Sequence, residues 1–150
     1  QLRFVDYLQT KSNQGQRILG ICLGAHVLFN HSQEDGGVKG MGMIQGKITH
    51  IPWESSNTGW LPCSFDKRSM NELWKSKKLN VSRKQRVSGR VFFNHNYGIL
   101  LEEASDIDLK IQSKELAGFS ALVHKDNIMA CQFHPEKSQI MGELLLKMIL

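Results

Sequence analysis

The stretch Arg17-Ile18-Leu19-Gly20-Ile21-Cys22-Leu23-Gly24-Ala25-His26 constrains the chain more than any other. A short apolar run ends in a glycine, a cysteine and a second glycine, and a helix-like segment follows. A residue at a sharp strand-to-helix turn points its reactive atom out of the end of a sheet, and the tight backbone there requires small neighbours. A thiol in that position faces the free amides of a helix N-terminus, whose dipole favours a thiolate. Cys22 is therefore a candidate nucleophile, and the rest of the chain must supply it with a base and a substrate.

The flanking pattern sets the fold class. Leu2, Val5 and Leu8, with Phe4 beside them, have helical spacing over 2–10, and Ser12-Asn13-Gln14-Gly15 closes that helix. Residues 17–21 read as a buried strand and 25–31 as the helix after the turn, with Val27, Leu28 and Phe29 partly inward. Helix, strand, turn and helix in this order predict an α/β fold: an open, mostly parallel sheet flanked by helices. Residues 33–46 are glycine-dense, but their spacing fits neither a phosphate-binding loop nor a dinucleotide fingerprint. Strands are expected within 44–51, 87–97 and 107–111, an irregular segment over 52–62 with Trp53 and Trp60, and a short helix over 69–77. Residues 119–124 and 128–133 flank Lys125-Asp126-Asn127 and read as a β-hairpin. Residues 139–150 close the chain as a helix with Ile140, Leu144, Leu145 and Met148 on its inner side.

With 150 residues, 41% hydrophobic and 22% charged, the chain reads as one globular domain spanning 1–150. No apolar run reaches the length of a membrane span, so no membrane association is expected. The formal charge of +5 concentrates in Lys67-Arg68, 75–78 and 83–90, a solvated face or a surface for an acidic partner. It has no interleaved aromatics, which argues against nucleic acid. Cys22, Cys63 and Cys131 are widely spaced and odd in number, which fits a reducing cytoplasm and excludes a disulfide framework or structural zinc. Cys63 and Cys131 read as small buried hydrophobes. His26 and His31, five apart, do not share a helix face for a metal, so no metal or cofactor is expected.

The hairpin runs into Gln132-Phe133-His134-Pro135-Glu136-Lys137-Ser138. A histidine at a strand end, two residues before a glutamate, suits a base with its orienter: His134 would take the Cys22 proton, and Glu136 would fix its tautomer. Pro135 stiffens the separation. Residues 94–98, Asn-His-Asn-Tyr-Gly, form a polar cluster at the end of a strand, where α/β sheets place sites.

Gly20-Ile21-Cys22-Leu23-Gly24 and 132–138 together, in this order, resemble the two signature segments of class I, triad-type glutamine amidotransferases. Residues 38–47 and 93–97 are similar to the glutaminase subunit of imidazole glycerol phosphate synthase. The resemblance implies a flavodoxin-like α/β fold and hydrolysis of L-glutamine through a γ-glutamyl thioester on Cys22. The ammonia would pass to a barrel-fold synthase or cyclase partner in a heterodimer of histidine biosynthesis. His134 and Glu136 carry over as base and orienter, and the Leu23 amide as an oxyanion donor. Gly20, Gly24, His26, His95, Asn96 and Tyr97 fall in the substrate-binding set. Three departures stand out. The family has strands and a glycine-rich loop with the second oxyanion amide before the turn, so an N-terminal truncation is expected; losing one donor costs about a hundredfold or more in rate. The family has glutamine where His26 stands. Its Pro-His-x-Gly-Trp segment is reduced to Asn57-Thr58-Gly59-Trp60. These departures also suit a diverged paralogue that aminates sugars for surface polysaccharides, a free-standing cysteine amidohydrolase, or a non-catalytic binding module. Missing front strands would leave a sheet edge open to homodimerisation.

Overall fold

The computed structural model describes residues 2–52, 58–65, 87–102, 109–112 and 118–149. The chain opens with helix α1 (Leu2–Asn13), which ends at Gly15 with φ +77°. Strand β1 (Ile18–Ile21) follows, then the one-turn helix α2 (Leu23–His26). Next come β2 (His31–Ser32), a 3-10 turn (Glu34–Gly36), β3 (Val38–Lys39) and β4 (Lys47–His50). Strands β5 (Thr58–Phe65), β6 (Val87–Asn94), β7 (Tyr97–Leu100) and β8 (Leu109–Gln112) occupy the middle. The hairpin β9 (Ser120–Lys125) and β10 (Ile128–Cys131), a 3-10 turn (Pro135–Lys137) and helix α3 (Gln139–Ile149) complete the chain.

The α/β class holds, but the sheet is mixed rather than mostly parallel. Its order is β1-β10-β9-β7-β4-β2-β3, with β8 also on β9. β1–β10 and β2–β4 are parallel, whereas the β10–β9, β9–β7, β7–β4, β2–β3 and β8–β9 pairs are antiparallel. The helix–strand alternation that favours parallel pairing ends at α2. The β2–β3 and β9–β10 pairs join across short turns, which reverse the chain, whereas β4–β7 and β7–β9 are antiparallel across long connections. Strands β5 and β6 form a separate antiparallel ribbon.

Strand β10 shows why its own sequence is apolar without interruption. Ile128 and Ala130 face one core with Ala25, Leu28, Phe29, Ile44 and Ile48, while Met129 and Cys131 face another with Val91, Phe93, Phe133, Met141 and Leu145. Both faces of the strand are covered, so every side chain is buried (period two, two cores). Cys63 and Cys131 are buried as expected.

Local expectations fail where tertiary contacts decide. The helix after the turn stops at His26, and His31 lies in a strand. The segment expected to be irregular contains β5 from Thr58 onward. In α3, Met141 and Leu145 face the core, whereas Ile140 is 72% and Leu144 39% exposed. The helix is phased by its contact with the preceding turn: a Cβ on Gly142 would lie 1.7 Å from the Pro135 carbonyl oxygen, so that face must point inward. The expected helix at 69–77, Trp53, Asn57, and all of the basic stretch before Val87 lie outside the described residues. Among the described residues, no helix is long and apolar enough to cross a membrane.

Candidate active site

Cys22 sits where β1 becomes α2, with φ +50° and ψ −113°. A non-glycine residue held in such a conformation costs about 1–3 kcal/mol and persists only where its surroundings impose it. Here they do. The Cys22 N–H donates to the Cys131 carbonyl at 2.8 Å, extending the β1–β10 ladder by one residue. Its own carbonyl accepts from the Ala25 and His26 amides at 2.9 and 3.1 Å. Below the turn Gly20 is buried, and a Cβ there would stand 2.4 Å from the Gly24 carbonyl oxygen. Gly20 therefore packs closely and lets α2 descend onto β1. Gly24 is exposed with open space around its Cα.

The thiol does not behave as the helix-terminus argument expects. Burial pushes its pKa above 9.0, the Leu23 amide pulls it down, and the Glu34 and Glu136 carboxylates push it up against a smaller pull from Lys137. Helix α2 is a single turn, too short for a strong dipole, so desolvation wins and the resting form is the thiol. The Leu23 amide is directed at the sulfur, the place an oxyanion donor must occupy beside a nucleophile.

The parallel pairing of β1 with β10 brings the second constellation to the same sheet end. Ile21 is in register with Cys131, and three residues later the chain reaches His134. The His134 N–H donates to the Phe92 carbonyl at 2.8 Å, and the Ser138 hydroxyl donates to the His134 carbonyl at 2.6 Å. The backbone of the histidine is thereby tied to β6 and to the start of α3. His134 Nδ1 lies 2.7 Å from Glu136 Oε1. A carboxylate only accepts, so Nδ1 carries the proton and Nε2 presents its lone pair. Burial opposes the Glu136 charge, but the hydrogen bonds from His134 and its own backbone amide, with the His134 and Lys137 charges, hold its pKa below 4.5.

A second histidine–carboxylate group lies on the other side of the turn, and Glu34 in it is a residue that sequence spacing did not single out. His26, 2% exposed, reaches Glu34 Oε2 from Nδ1 at 3.3 Å and Gln132 Oε1 from Nε2 at 2.9 Å. His95 Nε2 lies 3.4 Å from Glu34 Oε1, and the His26 and His95 rings meet edge-on at 4.3 Å. The Tyr97 N–H donates to His95 Nδ1 at 3.0 Å, which leaves the His95 proton on Nε2, facing Glu34. If Gln132 offers its oxygen to His26, both ring nitrogens need protons, yet burial lowers the His26 pKa below 6.5. With the Gln132 amide turned, its Nε2, otherwise buried without a partner, donates to a neutral His26 whose Nδ1–H points at Glu34. Glu34 then receives two ring N–H donors and remains the charged member.

The His26 ring is almost fully buried and its two nitrogens are turned to Glu34 and Gln132, so it holds Glu34 in place. His95 joins it there, as the polar cluster at the strand end suggested. Asn96 is exposed, and its carbonyl accepts from the Ile51 amide at 2.9 Å, while Tyr97 packs edge-on to His50 at 5.5 Å. A cleft of about 160 Å³ lined by Leu23, His26, Ser32, Glu34 and Asp35 opens beside the turn. The signal that could have found Glu34 was the polar run Gln33-Glu34-Asp35 amid glycines, but only the fold brings it back to Cys22.

The family model of class-I glutamine amidotransferases matches residues 4–146. The chain belongs to that family. It is 32% identical over 149 residues to the imidazole glycerol phosphate synthase subunit HisH of Aquifex aeolicus, covering 98% of this chain and 66% of that relative. It is 37% identical over 141 residues to the subunit of the same name from Prochlorococcus marinus, covering 90% and 62%. The chain therefore spans under two thirds of the length of these relatives. A crystal structure of a glutamine amidotransferase superposes with TM-score 0.63 at 14% identity over 97% of this chain and 67% of that one. The structure of PurLQS from Thermotoga maritima superposes with TM-score 0.66 at 14% identity over 97% and 66%. Both share the α/β amidotransferase fold.

Proposed function

We propose that this chain is the glutaminase part of an imidazole glycerol phosphate synthase, hydrolysing L-glutamine to glutamate and ammonia for a synthase partner. One observation carries the reading: a strained cysteine at the end of β1, beside a strand whose continuation presents His134 with Nδ1 held 2.7 Å from Glu136. The relatives' names supply the synthase. In this reading His134 Nε2 takes the Cys22 proton as sulfur attacks the glutamine side-chain amide. The Leu23 amide stabilises the oxyanion, and the imidazolium returns its proton to the departing ammonia. Water then cleaves the thioester, with His134 as base. A high thiol pKa suits this order, because the proton moves only when substrate is in place. The Glu34 carboxylate, anchored by two rings at the edge of the site, would receive the α-ammonium group of glutamine. The partner would be a barrel-fold cyclase subunit, and ammonia would reach it without passing through solvent.

The test is glutamate release from glutamine by this chain with and without a cyclase subunit. We expect release that depends on the partner and is abolished by Cys22→Ala. Partner-independent turnover of the same size would instead identify a free-standing amidohydrolase, and no turnover in either condition would refute the glutaminase reading.

A further inference from the structure

We propose that His26, Glu34 and His95 form a site for a borderline divalent cation of the zinc type, beside and separate from Cys22. The ligand types are right, two imidazoles and one carboxylate, and their donor atoms all lie within 4.8 Å of one another. The distances point the same way. Tetrahedral zinc with bonds of about 2.0–2.1 Å places its ligand atoms about 3.3–3.4 Å apart. The His26–Glu34 and His95–Glu34 contacts are 3.3 and 3.4 Å, one to each carboxylate oxygen, so a single ion would engage both oxygens of Glu34 or one of them after a small turn of the carboxylate. As hydrogen bonds to a carboxylate these are long, since charge-assisted N–H···O contacts close to about 2.7–2.9 Å. The His134–Glu136 pair in the same molecule does close to 2.7 Å.

The surrounding groups fit as well. A metal-bound imidazole donates its other ring N–H to an acceptor that fixes the tautomer. For His26 that acceptor is Gln132 Oε1, 2.9 Å from Nε2, in the amide orientation that frees Nδ1 toward Glu34. For His95 it would be the Tyr97 carbonyl, 3.2 Å from Nδ1: the metal state needs the proton moved from Nε2 to Nδ1, with the Tyr97 N–H that donates to Nδ1 in the proton-holding state giving way. The Gln132 side chain can therefore serve two states by turning its amide: nitrogen toward His26 when the network holds protons, oxygen when it holds a cation. Entry is through the cleft lined by Ser32, Glu34 and Asp35, which also leaves room for a water as a further ligand. Glu34 supplies one negative charge to the site. Lys39 lines the same cleft and works against a cation, so the two imidazoles have to carry much of the affinity. A cation here would occupy the carboxylate assigned above to the substrate ammonium. That consequence for turnover rests on the proposed function, whereas metal binding does not.

The experiment is a zinc titration of the full chain carrying Cys22→Ser, in competition with a chromophoric chelator and without glutamine. The serine background removes the Cys22 thiol as an alternative ligand. We expect about one zinc per chain, and affinity lowered about a hundredfold or more by Glu34→Gln and, separately, by His95→Gln, which is half-buried at a turn and leaves the core intact. Cobalt should give visible d–d absorption in the Cys22→Ser chain and not in the His95→Gln, Cys22→Ser chain. Loss of zinc binding on Cys22→Ser alone, or unchanged affinity in both ligand variants, overturns the site.

Discussion

At His134 one ring nitrogen meets one carboxylate oxygen at 2.7 Å, whereas around Glu34 two rings share a single carboxylate at 3.3 and 3.4 Å. The two groups flank the same cysteine, and both act on its thiol through charge. Their construction differs. The His134 pair is short, local in sequence and stiffened by Pro135, so one tautomer is fixed and one lone pair is left for proton transfer. The Glu34 group is assembled from three separate segments, and its longer contacts hold a carboxylate in place without neutralising it. On the proposed function, the short exclusive bond suits a base and the shared, looser contacts suit a receptor for a positive charge.

That difference predicts opposite kinetic signatures, which are the largest effects expected. In the partner-dependent glutaminase assay, Glu136→Gln should lower kcat by about 10⁴-fold, the loss found when a triad carboxylate is replaced by its amide. KM should change little. Glu34→Gln should instead raise KM about ten- to hundredfold, the range for a lost hydrogen bond to a charged group of about 1.5–3 kcal/mol. The two variants moving the same kinetic parameter would show that the two carboxylates do not have separate roles.

Smaller effects should follow from the glycines that seat each group. Gly142→Ala would push α3 away from Pro135, and with it the His134–Glu136 segment. Gly20→Ala would push α2 away from β1 beneath Cys22. Each forces backbone apart, since the added Cβ would lie 1.7 Å from the Pro135 oxygen or 2.4 Å from the Gly24 oxygen. Overpacking of this kind costs about 1–3 kcal/mol or more. Gly24→Ala meets nothing within 4 Å and should leave stability unchanged within error. Urea unfolding monitored by tryptophan fluorescence checks all three. A Gly24→Ala loss equal to that of Gly20→Ala would show that the turn, not the packing beneath it, demands glycine.

The two groups also differ in how far the sequence betrays them. His134-Pro135-Glu136 was legible because its partners are two residues apart, and the cysteine because glycines bracket it. The elements at the front and the hairpin at the back were legible through their periodicity. Glu34 was hidden because its partners are 8 and 61 residues away, at His26 and His95, joined only by the fold. His26 was visible as a site residue, but its burial and its contact with Glu34 were not, because spacing says nothing of burial. The thiol state was misjudged for the same reason: a helix start is local, and desolvation is not. The pairing of β4 with β7 and the phase of α3 depend on glycines and turns whose close contacts no periodicity records.

Acid should separate the groups through stability, with the smallest effect expected. Burial, followed by the charge on His95, lowers the folded pKa of His26 below 6.5 despite opposing contributions from Gln132 and Glu34. A lowered folded value means that the unfolded chain binds more protons, so the contribution of His26 is complete above pH 6.5 and is lost as pH falls through the folded value. Glu136 is also lowered, from 4.5, and its contribution is present above that value and lost only in stronger acid. Two windows result, one beginning near pH 6.5 for the buried cluster and one below pH 4.5 for the exposed pair. Replacing His26 by glutamine removes a titrating ring while keeping hydrogen-bonding capacity toward Gln132 and Glu34. His26→Gln should therefore flatten the decline in urea midpoint between pH 7 and pH 5 and leave the more acidic decline in place. An unchanged slope in the upper window would mean that another group carries it.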